Sequence, residues 1–334
     1  MKILFVGDDW PGSNARSLAD GFTQAGHQVV VVDSTPVTLP PRLSVPWTYS
    51  KLAHRRAPWQ VAAVHERIEA IAAGFRPDLL FAFKSVHLDQ GRLLTTPAAR
   101  RVHYSPDDVG NPYNTTADYL THEPEWDLIV TTKSYNVPEL RARGARSVVF
   151  VRSAYDPTLH YPCARRGSRR YLVGFIGACR PDRRGPLVDL ARYYGDRMLV
   201  RGPGWRRVPA LHRTGAIVGG PVYGTDFSAS VAAVTANLVL LNSDNRDTHT
   251  CRTFEVPAAG GLFVGERTGE HAALLDDGRE CFLFTERAEL DAILTRCAAD
   301  RALTERVAAA GMRRITAGRH RYVDRAEEIV DALV

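Results

Sequence analysis

The first 33 residues contain an apolar run, a polar loop, a helical pattern and a second apolar run. Residues 2–6 (KILFV) predict a buried strand, and apolar positions between 15 and 22 recur at the spacing of one helix face. Gly26 is placed to end that helix, and the valines at 29–32 predict a second strand. Strands that are apolar throughout are typical of parallel sheets covered on both faces, so the pattern predicts a βαβ unit.

The alternation of apolar runs and helical patterns continues along the chain. Further strands are predicted at 79–83, 101–104, 128–131 and 148–151, with a helix at about 59–74. Residues 153–170 are rich in Pro, Arg and Ser and have the composition of a linker. The pattern then restarts, with strands at 171–176 and near 198–201, 216–218, 237–241 and 261–264, and helices near 186–194, 226–235, 253–259 and 287–298. Helical patterns at 302–315 and 322–333 end the chain.

This order of elements predicts an α/β protein with two parallel-sheet domains. The first domain is predicted over residues 1–160 and the second over 161–318. Residues 319–334 are predicted to form a C-terminal helix that crosses back to the first domain.

Composition narrows the class of protein. The chain has 334 residues, of which 45% are apolar and 24% charged, and these values exclude disordered, collagen-like and disulfide-scaffold proteins. The five cysteines form no C-x-x-C pair, so neither a zinc site nor a disulfide framework is expected. The opening apolar run is too short for a signal peptide or a membrane span, which predicts a cytoplasmic protein. The net charge of +6 is compatible with an anionic partner.

Ligands of parallel sheets bind beyond the carboxyl ends of the strands, so binding and catalytic residues are expected in the loops that follow strands. In the first loop, Gly12, Ser13 and Asn14 precede a helix and predict either an anion site or a plain strand-to-helix turn. In a second loop, His103, Asp107 or Asp108 has the chemistry of a general base, and the two carboxylates are equally suited to capping a turn.

Two further loops carry glycines beside cationic or aromatic residues. Gly177, Arg180 and Arg183 follow the first strand of the second domain, and Arg guanidinium groups suit phosphate oxygens; the alternative is a solvated basic turn. The pairs Gly204-Trp205 and Val222-Tyr223 predict either a surface for a planar base or ordinary turns.

The most specific loop runs from 241 to 261. A strand ends, a polar loop supplies hydroxyl groups and Arg252, and a helix begins near Thr253 with Glu255 in its first turn. A phosphate at the helix start with Glu255 on ribose hydroxyls is chemically coherent. The alternative for Glu255 is an acid that complements the helix dipole.

Several stretches together resemble the spore-maturation (CgeB-like) glycosyltransferases. The resemblance is strongest in R-T-F-E-V-P-A-A-G-G (252–261) and G-R-E-C-F-L-F (278–284). It extends in order over I-L-F-V-G-D-D-W-P-G-S-N-A-R-S-L-A (3–19), Y-S-P-D-D (104–108), A-Y-D-P-T-L-H (154–160), F-I-G-A-C-R-P-D-R-R (175–184), A-A-A-G-M-R-R (308–314) and H-R-Y-V-D-R (320–325). This resemblance implies a GT-B fold, with two Rossmann-like domains facing a cleft, and the transfer of a sugar from a UDP-, GDP- or dTDP-sugar.

The resemblance also implies roles for individual residues. The N-terminal domain would bind the acceptor and the C-terminal domain the donor. Donor contacts would come from Glu255 on the ribose, Thr250, Cys251 and Arg252 at the diphosphate, Arg180 and Arg183 as a cationic clamp, and Val222 or Tyr223 near the base. The E-x7-E pattern of related transferases is incomplete, because Asp247 stands where the first Glu is expected.

Enzymes of this fold generally need no bound metal, so we expect a metal-independent reaction with no tightly bound cofactor. If the reaction inverts the anomeric configuration, Asp107 or Asp108 is expected to deprotonate the acceptor. The acceptor is expected to be a small molecule, a glycan or DNA.

Three alternatives compete with this interpretation. The basic and aromatic stretch 42–51, with Trp47 and Tyr49, fits a glycosyltransferase that modifies hydroxylated bases in DNA, although a solvated surface is the commoner explanation of such a stretch. A protein that binds a nucleotide sugar without turnover is the second alternative. A dehydrogenase is disfavoured, since the first loop lacks the glycine fingerprint of dinucleotide-binding proteins.

Overall fold

The computed structural model describes residues 1–163 and 169–333. Strands are β1 (Lys2–Gly7), β2 (Gln28–Asp33), β3 (Leu79–Phe83), β4 (Arg100–Ser105), β5 (Leu128–Thr131), β6 (Val148–Phe150), β7 (Tyr171–Ile176), β8 (Met198–Arg201), β9 (Ile217–Gly219), β10 (Val234–Val239), β11 (Phe263–Glu266) and β12 (Phe282–Phe284). Helices are α1 (Asn14–Gln24), α2 (Thr35–Thr38), α3 (Val45–Ala53), α4 (Pro58–Phe75), α5 (Gln90–Thr95), α6 (Ala117–His122), α7 (Asn136–Ala142), α8 (Pro181–Tyr194), α9 (Pro209–His212), α10 (Gly224–Ala232), α11 (Arg252–Ala258), α12 (Gly269–Leu274), α13 (Arg287–Ala299), α14 (Arg301–Ala317) and α15 (Tyr322–Asp331).

The strands form two six-stranded parallel sheets, which confirms the predicted α/β class. The order is β2-β1-β3-β4-β5-β6 in the first sheet and β12-β11-β10-β7-β8-β9 in the second. In the second sheet, β7 pairs in parallel with both β8 and β10. The chain therefore runs outward from β7 to β9, and after α10 it continues on the other side of β7. The change of direction between β7 and β10 is the place where open α/β sheets bind ligands.

The chain divides into two compact units. The N-terminal unit comprises Met1–Arg152 and Tyr322–Val334, and the C-terminal unit comprises Ser153–Arg321. The domain limits predicted from the sequence lie at 160 and 318. Of the linker-like segment 153–170, residues 164–168 lie outside the described residues, as does the last residue of the predicted terminal helix.

Helix α15 packs against α1 of the N-terminal unit, as the predicted return of the terminal helix requires. A Cβ on Gly21 of α1 would lie 2.6 Å from the main-chain oxygen of Tyr322, the first residue of α15. The two helices therefore approach each other closely at a position that only glycine fits.

The continuous apolar runs become strands because both faces of each sheet are covered. In β1, residues Ile3 to Val6 are all 0% exposed. The ring of Phe5 stacks on Phe81 at 5.0 Å, and Phe22 of α1 meets Phe81 edge-on at 5.1 Å. One face of the second sheet is covered by a cluster that includes Phe175 and Trp205, and the other by a cluster that includes Phe227, Phe254 and Ile315.

The basic and aromatic stretch 42–51 forms most of α3, in which every residue is at least partly exposed. The ammonium of Lys51 lies 5.9 Å from the Trp47 ring centroid, and the guanidinium of Arg55 lies 5.9 Å from that of Tyr49. These aromatic rings thus contact cations from their own neighbourhood. Among the described residues, no helix has both the length and the apolar character that crossing a bilayer requires.

Candidate active site

The candidate site is built on the loops that follow β7 and β10 and on α11. These two strands are neighbours at the change of direction in the C-terminal sheet. Their loops hold most of the donor-binding residues predicted from the sequence, including Gly177, Arg180, Asp247 and Thr250.

The loop after β7 packs tightly against the loop after β8. Gly202 has a φ of +141°, and a Cβ there would lie 1.9 Å from the carbonyl oxygen of Gly177. The indole Nε1 of Trp205 donates to the same oxygen at 2.7 Å. Trp205 is fully buried, so its side chain packs against these loops inside the unit. The predicted contact of its ring with a base therefore has no support in the geometry. Gly204, with a φ of +91°, forms the turn that directly precedes Trp205.

The two arginines predicted as a phosphate clamp have different surroundings. Arg183 is buried, and its guanidinium donates to the carbonyl oxygens of Leu240 at 2.8 Å and Leu241 at 3.3 Å. It joins the start of α8 to the end of the β10 segment, and burial lowers its pKa. The side chain of Arg180 is 43% exposed and lies 3.9 Å from Asp244. Of the pair, Arg180 is the one available to a ligand.

Asp247 lies beside a cavity of about 530 Å³. Its carboxylate accepts hydrogen bonds from the main-chain N–H of Asn242 at 3.2 Å and from the Asn245 amide at 2.9 Å. The cavity is lined by leucines and by charged groups, among them Glu266, whose pKa is raised by burial. Its volume lies within the range typical of small-molecule sites.

A buried chain of hydrogen bonds fixes the loop that leads into α11. His271 Nδ1 lies 2.7 Å from the carbonyl oxygen of Glu266 and donates to it, which leaves Nε2 to accept from the Thr253 hydroxyl at 3.0 Å. Thr253 Oγ1 accepts in turn from the main-chain N–H of Thr250 at 3.1 Å. Burial lowers the pKa of His271, in agreement with a neutral ring. The positions of Thr250 and of Cys251, which directly precedes α11, thus depend on an imidazole that the sequence did not single out.

Glu255 and Arg252 form the centre of the site. Glu255 is 3% exposed, and its carboxylate pairs with the Arg252 guanidinium within the first turn of α11. Arg252 Nε also donates to the carbonyl oxygen of Ile176 at the end of β7, at 3.1 Å, and the guanidinium lies 4.7 Å from the Phe227 ring centroid. Arg252 therefore connects α11, β7 and α10.

His160 is a further partner of Glu255 that sequence reasoning did not identify. Its Nε2 lies 3.5 Å from Glu255 Oε1, and its Nδ1 lies 3.1 Å from the main-chain nitrogen of Asp156. Burial, with a smaller contribution from Arg252, lowers the pKa of His160 to about 4. The ring is therefore neutral at pH 7, and its 3.5 Å contact with Glu255 is not an ion pair. The signal was its place in A-Y-D-P-T-L-H, one of the stretches that carry the family resemblance.

His249 also went unnoticed in the sequence. It is 1% exposed, its Nε2 accepts from the main-chain N–H of Ser153 at 3.0 Å, and its Nδ1 pairs with Glu270. This side chain ties the loop before α11 to the first residue of the C-terminal unit.

Val222 and Tyr223, predicted to lie near a base, directly precede α10. Val222 is partly buried against the cluster that contains Phe227, whereas Tyr223 is 46% exposed. A ligand in this part of the unit can therefore reach the Tyr223 ring more readily than the Val222 side chain.

In the N-terminal unit, the adjacent acids Asp107 and Asp108 have different roles. Asp108 is 2% exposed and accepts from the main-chain N–H of Gly110 at 2.8 Å and from the Asn136 amide at 3.0 Å. Asp107 is less buried and pairs with the Lys84 ammonium. The geometry thus assigns Asp108 to turn capping and leaves Asp107 as the candidate base.

His103, the third predicted base, lies in the core of the N-terminal unit. It is fully buried against the rings of Tyr119 and Trp126, with centroids 4.5 and 5.4 Å away. Neither ring nitrogen has a hydrogen-bond partner within the described part of the chain. Burial lowers its pKa to about 3. The predicted role of His103 in taking a proton from a substrate has no support in this geometry.

The first loop is a capped turn. Ser13 caps α1, since its Oγ accepts from the Arg16 main-chain N–H at 3.0 Å and donates to the Asp8 carbonyl oxygen at 2.6 Å. Gly12 has a φ of +93°, and Asn14 is the first residue of the helix. The turn alternative therefore accounts for these three residues without an anion. In residues 1–163 and 169–333, no group of three or more His, Cys, Asp and Glu side chains is arranged to hold a metal ion.

Part of the chain matches a known protein family, and the whole chain is similar to several solved structures. Residues 183–331 match a family model described as glycosyl transferase-like. No curated protein matches the chain. Sucrose-phosphate synthase from Thermosynechococcus elongatus is 14% identical, with a TM-score of 0.70 over 99% of this chain and 98% of that one. HepE from Anabaena, solved with UDP-glucose, is 16% identical, with a TM-score of 0.67 over 100% and 99%.

AviGT4, a glycosyltransferase involved in avilamycin A biosynthesis, has the same fold. It is 18% identical, with a TM-score of 0.59 over 100% of this chain and 97% of that one. At these identities the structural matches establish the fold, and the family model matches the C-terminal part of the chain. The chain thus has the fold of these solved glycosyltransferases, with two parallel six-stranded sheets, and its residues 183–331 match the glycosyl transferase-like family.

Proposed function

We propose that this enzyme transfers a sugar from a nucleoside diphosphate sugar to a hydroxyl group of an acceptor. The observation that carries the proposal is the buried carboxylate of Glu255, which Arg252 and His160 hold beside the end of β7. A carboxylate so oriented is suited to accept hydrogen bonds from the two hydroxyl groups of a ribose.

The remaining donor contacts follow from this position of the ribose. Arg180 and the loop residues Thr250 and Cys251 are proposed to contact the diphosphate, and Tyr223 the base. Asp247, beside its cavity, is proposed to accept from sugar hydroxyls. Departure of the nucleoside diphosphate builds negative charge while the anomeric carbon becomes oxocarbenium-like, and cationic groups at the diphosphate lower that barrier.

For the acceptor we propose Asp107 as the general base, if the reaction inverts the anomeric carbon. Its carboxylate pairs with the Lys84 ammonium and is 25% exposed, whereas Asp108 is 2% exposed. The proton of the acceptor hydroxyl would pass to Asp107 as the oxygen attacks the sugar.

UDP is the nucleotide to test first, because HepE has been solved with UDP and with UDP-glucose. Membership of the CgeB-like subfamily, a cytoplasmic location and a metal-independent reaction are finer parts of the same proposal. For the last of these, we expect turnover to be unchanged by EDTA. The stretch 42–51, whose Trp47 and Tyr49 rings contact nearby cations, adds no support for a DNA acceptor.

Calorimetry with UDP, GDP and dTDP tests the proposal, together with release of the diphosphate from the matching sugar donor. We expect one nucleotide to bind wild type, and Glu255→Gln to weaken that binding about tenfold or more through loss of a charged acceptor. Glu305→Gln, an exposed acid of α14, is the matched control and should bind as wild type does. Absence of binding by all three nucleotides, with no turnover of their sugars, would contradict the proposed function.

A further inference from the structure

His160 belongs to a compact turn that presents its ring to α11. The main-chain N–H groups of His160 and Leu159 donate to the Asp156 carbonyl oxygen at 2.8 and 3.1 Å. The Asp156 carboxylate accepts from the N–H of Thr158 at 2.8 Å and from its hydroxyl at 2.7 Å. The His160 side chain is 11% exposed. Its position is therefore set by the turn before any ligand arrives.

The hydrogen bonds of the ring determine which nitrogen carries the proton. The Asp156 main-chain nitrogen is a donor, so His160 Nδ1 must accept at this contact of 3.1 Å. A neutral imidazole with Nδ1 as acceptor carries its proton on Nε2. Nε2 lies 3.5 Å from Glu255 Oε1, which is longer than a normal N–H···O hydrogen bond, and it carries the proton that a closer approach would place on that oxygen. The lowered pKa of His160 agrees with a neutral ring.

Phe227 supports both partners of Glu255. The His160 ring meets it edge-on, with centroids 5.1 Å apart, and the Arg252 guanidinium lies 4.7 Å from its centroid. Glu255 Oε1 faces His160 and Oε2 faces Arg252, so the carboxylate is held at both oxygens. A carboxylate offers about four acceptor positions, which leaves lone pairs on both oxygens for hydroxyl groups.

We propose that His160 is a positioning residue whose Nε2–H closes from 3.5 Å to a hydrogen bond with Glu255 Oε1 in the nucleotide complex, and that this hydrogen bond sets the enzyme's preference for ribose over deoxyribose in the nucleotide. The inference rests on the proposed function, because it needs Glu255 to contact the ribose. It goes beyond that function in two respects. His160 lies outside the loops that follow β7 and β10, and the preference for ribose is assigned to its contact with Glu255. Without the hydrogen bond, the Oε1 side of the carboxylate is free to turn, and it no longer meets both ribose hydroxyls.

The test compares binding of UDP and 2′-deoxy-UDP by calorimetry, with GDP and 2′-deoxy-GDP as the second pair. We expect wild type to favour the ribonucleotide by about tenfold or more, as a lost hydrogen bond to a charged group implies. His160→Phe keeps a ring against Phe227 but has no donor, and the ratio should fall to about threefold or less. His160→Gln restores a donor near Nε2 and should recover most of the ratio. His212→Phe, on an exposed residue of α9, should keep the wild-type ratio.

The ratio separates positioning from packing. If His160 only filled space, His160→Phe would leave the ratio unchanged, and that result overturns the inference. Wild type that binds and turns over a nucleotide sugar without preferring ribose also overturns it, while the proposed function survives. If no ribonucleotide binds wild type and no donor is turned over, the proposed function itself has failed.

A measurement on wild type covers the case in which His160→Phe does not fold. Imidazole ¹⁵N spectra, with His160→Gln used to assign the signal, report which nitrogen carries the proton. We expect Nε2–H with an unprotonated Nδ1 at pH 7. A signal from the Nδ1–H tautomer would overturn the inference, because Nε2 could then not donate to Glu255.

Discussion

Arg252 pairs with Glu255 three residues further along α11, and the acid in this pair is 3% exposed. A buried carboxylate needs partners, since removal from water costs several kcal/mol when its charge is not compensated. His160 is neutral and therefore supplies no compensating charge. The charge of Glu255 therefore depends chiefly on Arg252, and this dependence can be measured through stability.

Replacing Arg252 by Ala should lower the free energy of unfolding by about 3 kcal/mol, because it leaves Glu255 buried with its charge unmatched. Urea unfolding measures the change. Arg301→Ala removes a second ion pair, with Glu305 on α14, in which the side chains are 74% and 50% exposed. That variant should lose less than about 1 kcal/mol. Equal losses in the two variants would show that burial of Glu255 does not govern the pair.

Replacement of Asp107 should lower the reaction rate, whereas replacement of Asp108 should lower stability. Asp107→Ala removes the proposed base and an ion pair to a half-exposed lysine, so it should lower the rate of UDP release from UDP-glucose about 100-fold at little cost in stability. Asp108→Ala removes the acceptor of two buried hydrogen bonds, so it should cost about 2 kcal/mol in urea unfolding. An unchanged rate in Asp107→Ala would remove that residue from the proposed mechanism.

The strands were predictable because their signal is local. β3, β5, β7 and β8 have the predicted bounds, since each contains a run of apolar residues that a sheet covered on both faces can bury. β12 escaped prediction. It has three residues, Phe282–Phe284, as do β6 and β9, which were predicted, so strand length alone does not explain the omission.

The site predicted from the sequence lies in the loops after β7 and β10. Within these loops, however, the prediction did not separate residues available to a ligand from buried residues that hold the loops in place. Arg180 and Arg183 look alike in the sequence, yet the buried Arg183 guanidinium donates to three carbonyl oxygens while the Arg180 side chain is 43% exposed. His160 lies 95 positions before Glu255 in the chain, and no local pattern relates the two. Which side chains face a ligand is decided by tertiary contacts, and spacing along the chain does not contain them.

The buried histidine of the N-terminal core should make stability depend on pH. Burial lowers the pKa of His103 from its ordinary value of 6.5 to about 3, so the folded protein keeps the ring neutral while the unfolded chain takes up a proton below pH 6.5. The unfolded state then binds more protons, and the free energy of unfolding falls as the pH falls from 6.5 toward 3, by at most about 1.4 kcal/mol per pH unit. The contribution is fully present above pH 6.5.

His103→Phe isolates this contribution. Both ring nitrogens of His103 lack hydrogen-bond partners within the described residues, so an apolar ring of similar size loses no bond there. Urea unfolding at pH 7.0, 6.0 and 5.0 should show a smaller decline for the variant than for wild type. His87 and His160, whose pKa values burial lowers to about 4, keep a remaining slope in both proteins. Identical slopes would mean that His103 is not held neutral by burial.

The close approach of α1 and α15 gives a prediction of unusual sign. Alanine is normally the better helix residue, by about 1 kcal/mol over glycine. Gly74 of α4 has nothing within 4 Å of an added Cβ, so Gly74→Ala should stabilise the protein by up to that amount. A Cβ on Gly21 would lie 2.6 Å from the Tyr322 main-chain oxygen, and main chain cannot yield as a flexible side chain does. Gly21→Ala should therefore destabilise the protein by about 1–3 kcal/mol in urea unfolding. If both variants were stabilised alike, α15 would not be packed on α1 at Gly21.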